Sequence, residues 1–151
     1  MKVFAVAIAS GLSMATVLGL SPQPAQAQFP PPGRGCQYLR EVTTRQTQIR
    51  KVIATNNSNA NTDFVVPTGV AFTNYLGMMI PENNSQYTAE ANLKYADNSS
   101  STVANRTIQA RRFYLYQLPF RTPTNQQPFQ VNARITGSRN TAYRLAIQAC
   151  R

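Results

Sequence analysis

Arginine is the residue whose number and placement could do chemistry in this sequence. Residues 98–151 carry Arg106, Arg111, Arg112, Arg121, Arg134, Arg139, Arg144 and Arg151 without one carboxylate, a local charge of +8. A guanidinium is a planar fork that pairs bidentately with carboxylate, sulfate or phosphate and stacks on aromatic rings. Such an uncompensated field gathers anions. Residues 28–97 contrast with it, because their six basic and five acidic residues nearly cancel at +1.

Arg112, Arg134, Arg139 and Arg144 are the candidate anion-binding residues. On an expected strand over 112–118, Arg112, Tyr114 and Tyr116 alternate onto one face while Phe113 and Leu115 take the other. Tyr114 and Tyr116 would then form an aromatic platform beside a guanidinium. Simpler roles exist: outward arginines hold net charge away from zero and keep strand edges apart, and tyrosine suits any pleated surface.

Other chemistries lack their parts. The chain has no histidine, which removes every imidazole-based mechanism, and with two cysteines it lacks ligands for zinc or a transition metal. No Gly-x-Ser-x-Gly or Ser-x-x-Lys pattern supports nucleophilic serine chemistry with Lys51 or Lys94 as base. Glu41, Asp63, Glu82, Glu90 and Asp97 are the only acids from which a glycosidase pair could come. Calcium would have to use Asp63 or the Asp97-Asn98-Ser99 loop, one carboxylate each. No phosphate-cradling glycine loop or nucleic-acid module is present. The expectation is a non-enzyme without cofactor or metal.

The elements that must position these residues read as strands. Val70, Phe72, Leu76, Met78 and Ile80 alternate, as do Tyr87, Ala89, Ala91, Leu93 and Tyr95 against Thr88, Glu90, Asn92 and Lys94. Further strands are expected at 64–66, 103–110, 112–118, 131–136 and 141–149, while Pro119, Pro123 and Pro128 keep 119–128 out of any central strand. Residues 38–53 show helical spacing, but Val42, Thr43, Thr44 and Thr47 tilt them toward strand. The fold class is all-β, an antiparallel β-sandwich or small barrel.

The last two strands predict a hairpin. Val131, Ala133 and Ile135 share one face and Tyr143, Leu145 and Ile147 another, so burying both sets requires an odd-length loop. Ser138-Arg139-Asn140, with Asn140 in the left-handed region, would pair 135 with 143 and 133 with 145. Arg134 and Arg144 would then stand opposite each other, a repulsive pair unless an anion lies between them.

Residues 1–27 have the pattern of a bacterial secretory signal: Lys2, an apolar run over 3–20, and Ala25-Gln26-Ala27 before the cut. Residues 28–35 form a Pro/Gly-rich spacer and 36–151 a single sandwich domain. In an oxidising compartment Cys36 and Cys150 would form one disulfide that ties the termini together. The mature chain would be secreted or periplasmic, with no membrane span. The reading is an exported, non-catalytic module for anionic surface polymers, acidic polysaccharide or envelope phosphate. A structural or assembly subunit joining through strand edges is the alternative.

Overall fold

The computed structural model describes residues 27–151. The predicted signal sequence therefore lies outside the described residues, apart from Ala27. Period-two alternation sets the faces of each strand: Tyr87, Ala91 and Leu93 are buried in the core, whereas Thr88, Glu90, Asn92 and Lys94 lie on the other side. The described residues form ten strands: β1 (Cys36–Tyr38), β2 (Arg40–Glu41), β3 (Ile49–Val52), β4 (Asn61–Val65), β5 (Asn74–Pro81), β6 (Ser85–Lys94), β7 (Ser100–Ala110), β8 (Tyr116–Arg121), β9 (Gln130–Gly137) and β10 (Ala142–Cys150). Among the described residues one 3-10 turn spans Thr55–Asn57.

The strands form two antiparallel five-stranded sheets. In the first, β1 and β3 both pair one edge of β10, which is followed by β5 and β8. The second runs β2-β4-β9-β6-β7. Leu145, Ile147 and Tyr143 of the first sheet and Val131, Ile135, Phe64 and Leu93 of the second are core residues. Tyr87 meets Tyr143 edge-on at 6.2 Å, and its buried hydroxyl donates to the Ala142 carbonyl at 3.0 Å. The fold is thus a β-sandwich, with Cys36 bonded to Cys150 across 114 residues.

Three expectations change. The hairpin between 131–136 and 141–149 does not form: β9 pairs β4 and β6, and β10 pairs β1, β3 and β5. Both apolar faces are buried as expected, but they face the core from opposite sheets, which satisfies the same pattern without a hydrogen-bonded register. Asn140 does adopt positive φ, at 66°, in a turn that carries the chain from one sheet to the other. Second, residues 111–115 are a turn instead of part of a strand, because Phe113 has φ 59°, and this breaks the alternation of Arg112 with Tyr114 and Tyr116. Third, residues 38–53 are strand only at 40–41 and 49–52 beyond the end of β1, separated by a loop in which Glu41 accepts the N–H groups of Thr43 and Thr44. Pro119 lies within β8, the edge position that tolerates a missing N–H.

The proline segment is tied to the sheet by Tyr38, which donates to the Pro30 carbonyl. Just before it Ala27, the residue preceding the expected cut, donates its N–H to the Phe113 carbonyl at 3.2 Å and accepts from Arg144 at 2.9 Å. Arg144 is in register with Ile80, and Tyr38 with Gln148, so the anchors sit over two rows of the first sheet's outer face. Along that face Met78, Ile80, Ala146 and Gln148 are buried. The second sheet's outer face is polar.

Candidate functional site

Of the four predicted arginines, Arg112 and Arg139 are positioned by turns at one end of the sandwich. Residues 82–84 join β5 to β6 and carry two asparagines whose side-chain carbonyls substitute for missing backbone partners. Asn83 Oδ1 accepts the Ala142 N–H and Asn84 Oδ1 the Arg112 N–H, both at 2.8 Å. The loop after β7 and the loop before β10 are therefore fixed to the same turn.

The first of those loops is tight. Tyr114 N–H donates to the Arg111 carbonyl at 3.3 Å, Phe113 N–H to Pro81 at 2.6 Å, and Arg111 N–H to the Tyr116 hydroxyl at 2.9 Å. Arg112 lies over the Phe113 ring, 4.6 Å from its centroid, and both Arg111 and Arg112 are exposed. In the second loop Thr141 bonds back to Ser138 through both its N–H and its hydroxyl, and Asn140 N–H donates to Ile53 at 2.9 Å. Arg139 is left exposed between them.

Arg144 lies near this end on the first sheet's outer face and is half-buried, with its guanidinium donating to Ala27. Its neighbour in register is Arg50, not Arg134. Arg50 in turn is gripped by Glu82, with Nε 3.0 Å from Oε1 and Nη2 2.7 Å from Oε2. The end therefore carries Arg50, Arg111, Arg112, Arg139 and Arg144, with Glu82 the carboxylate among them.

Arg134 is elsewhere. It is exposed midway along the second sheet's outer face, in register with Asn61 and Glu90. Around it the polar side chains are tied to one another: Lys94 and Asn132 bond Asp63 at 3.1 and 2.8 Å, Asn92 bonds Glu90 at 2.8 Å, and Thr102 bonds Asn92 at 2.6 Å. Burial pushes the Asp63 carboxyl up, but hydrogen bonds from Asn132, Lys94 and Gln130 outweigh it and hold the group below its ordinary value. The predicted aromatic platform is a tilted pair, ring centroids 5.2 Å apart, in which Tyr114 is 57% exposed and Tyr116 turns toward the space between the sheets.

All five acids are committed to local bonds. Glu41 accepts from Thr43 and Thr44, Asp63 from Lys94 and Asn132, Glu82 from Arg50, Glu90 from Asn92, and Asp97 from Ser99. Glu41 and Asp97 also sit below their ordinary carboxyl values: at Glu41 backbone bonds overcome desolvation, and at Asp97 the Ser99 bonds dominate. A general acid needs the opposite shift. Among the described residues no three metal-ligating side chains gather.

No family model matches this sequence, and no curated protein matches it. Two solved structures resemble the fold distantly. One is a mutant of CBM29-2, a family 29 carbohydrate binding module, at 4% identity and TM-score 0.45, covering 77% of this chain and 91% of that one. The other is the CBM22-1 and GH10 portion of Clostridium thermocellum endo-1,4-beta-D-xylanase 10B, complexed with xylohexaose, at 12% identity and TM-score 0.42. That match covers 78% of this chain and 26% of the other, so this chain spans about a quarter of it. Likeness at this distance carries no ligand across, and the function rests on the side chains.

Sequence reasoning missed Asn83, Asn84, Arg111 and Arg50. The Asn-Asn pair between two alternating strands was a visible turn signal, and Arg111 stands beside a residue already chosen. Nothing in the sequence points to Arg50 as the neighbour of Arg144.

Proposed function

We propose that the chain is a non-catalytic binding module for anionic polymers, acidic polysaccharide or phosphate-bearing envelope polymer, which it takes at the loop end through Arg111, Arg112 and Arg139, with Arg144 as a half-buried fourth. The observation that carries this reading is the Asn83-Asn84 turn, which fixes both arginine-bearing loops to one place. Loops held on a rigid sandwich are where recognition residues sit. Fixed backbones also lower the entropy lost when a flexible chain binds. The terminal disulfide belongs with an oxidising compartment, where such polymers are met. Committed carboxylates argue against acid–base catalysis.

Retention on immobilised heparin tests the site. Arg112→Ala/Arg139→Ala is expected to elute at clearly lower salt, and Arg134→Ala to elute with the parent, because exposed ionic contacts are screened by salt. An unchanged elution point for the double variant, or an equal shift for Arg134→Ala, removes the proposed site.

The alternative, assembly through strand edges, meets two obstacles. Edge strand β8 contains Pro119, which lacks an N–H, and edge strand β7 carries the inward-facing charge of Arg106. Concentration-dependent oligomers that persist in high salt would restore it.

A further inference from the structure

Two edge strands of the sandwich carry a basic residue on their core-facing side, and they are used differently. On β3, Lys51 is in register with the inward Tyr143 and reaches across to the other sheet, where Nζ donates to the Asn61 carbonyl at 2.7 Å and the Thr62 hydroxyl at 3.0 Å. It closes that side. On β7, Arg106 is in register with the inward Ala89, yet the two ion pairs among the described residues are Arg50–Glu82 and Lys94–Asp63. Arg106 has no carboxylate partner there.

Beside Arg106 the sheets do not meet. A cleft of about 190 Å³ lies between β7 and β8, backed by Ile135, Leu145 and Ile147 and walled by Phe120, Tyr116 and Leu118. It exists because Gly77, Ala89, Ala91 and Ala133 present little or no side chain from the two facing sheets. The Phe120 ring is held in plane by stacking on Tyr75, with centroids 5.5 Å apart and the planes 8° from parallel. An apolar cavity of about 150 Å³ is enough to take a benzene ring. The walls thus fit one ring. Glu90 and the exposed Arg106 both line the cleft, but Glu90 is bonded by Asn92 at 2.8 Å and by Asn105, so Arg106 is the charge left for the ring's substituent to answer.

We infer that this cleft binds a single-ring aromatic carboxylate, with the ring between the sheets against Phe120 and Leu118 and the carboxylate paired with Arg106. The site is separate from the arginine loops of the proposed function and stands without them. An inward charge on an edge strand also deters strand pairing. That role alone asks for neither the cavity nor a preference for carboxylates.

The test is titration of the whole chain with benzoate and with benzyl alcohol, its neutral counterpart, followed by two-dimensional NMR. Benzoate is expected to move the resonances of Gly77, Ala91, Ile108 and Leu118, and to bind about tenfold more tightly than the alcohol, as a charge-assisted pair allows. Arg106→Gln should erase that preference while leaving benzyl alcohol binding in place. Ala91→Leu should weaken both ligands. Gly77→Ala is the gentler filling variant, since its methyl would meet the Leu118 carbonyl and the Phe120 ring at 3.6 Å, ordinary contact distances, and it should weaken both ligands too. Three results would overturn the inference: no movement of cleft resonances at millimolar benzoate, movement confined to the loop-end arginines, or unchanged benzoate affinity in Arg106→Gln.

Discussion

Arg144 stands in register with Arg50 across the β3–β10 pair, and Glu82 holds Arg50 by two hydrogen-bonded oxygens. The expected pair of Arg134 with Arg144 does not form, and Arg144 faces an arginine from the N-terminal part of the chain instead. Glu82 answers one charge and the Ala27 carbonyl accepts from the other. Glu82→Gln is expected to lower Tm, with a deficit that shrinks as salt rises, because the lost compensation is between exposed charges. Thermal melts at low and high salt check this, and Arg50→Gln in the Glu82→Gln background should recover part of the loss.

Gly137 ends β9 where a side chain has no room. A Cβ there would lie 2.9 Å from Ile53 Cδ1, 3.0 Å from the Gln86 carbonyl oxygen and 3.2 Å from Tyr87 Cδ1. The carbonyl belongs to a neighbouring strand and cannot swing away. Gly137→Ala should cost about 1–3 kcal/mol, the usual penalty of overpacking, measured by urea unfolding.

The disulfide closes nearly the whole folded chain, its cysteines lying 114 positions apart. In the loop-entropy account a link of that length is worth about 4–5 kcal/mol. Cys36→Ser/Cys150→Ser is expected to lose about that much, read as the extrapolated unfolding free energy, with m rising because the freed denatured chain exposes more surface. Retention of parental stability would mean that the β1–β10 pairing alone holds the ends.

Alkali should unfold the protein through its buried tyrosines. Burial pushes Tyr75 up to about 12 and raises Tyr87 and Tyr143 as well. Each folded value lies above the unfolded one near 10, so the unfolded chain releases its protons first as pH rises. The stability tied to the neutral phenols is complete below about pH 10 and drains away as pH climbs toward the folded values. With no tryptophan in the chain, tyrosinate absorbance can be followed directly beside circular dichroism, and part of it should appear together with loss of structure.

Period-two patterning was enough to place strands at 85–94, 100–110 and 130–137 to within a few residues, because those strands have one drier and one wetter face. At 74–81 it found the strand but not its face: Met78 and Ile80 lie on the covered outer side, and Tyr75 and Met79 enter the core. The left-handed residue at Asn140 and the Cys36–Cys150 bond were legible for equally local reasons, a permissive side chain and a count of two cysteines. The failure at 111–115 was local as well: alternation continues through Arg112, Tyr114 and Tyr116 on paper, and the positive φ of Phe113 leaves no mark in composition.

Alone, the sequence determined an all-β chain, the core faces of its C-terminal strands and an arginine field without acids in its last third. Which strands lie side by side was decided only by the tertiary structure. An apolar row reports that it must be buried, not whether it is buried beside its neighbour in the chain or across a core from it. That choice sent β9 and β10 into different sheets, separated Arg134 from Arg144, brought Arg50 beside Arg144, and gathered Arg111, Arg112 and Arg139 around one asparagine turn.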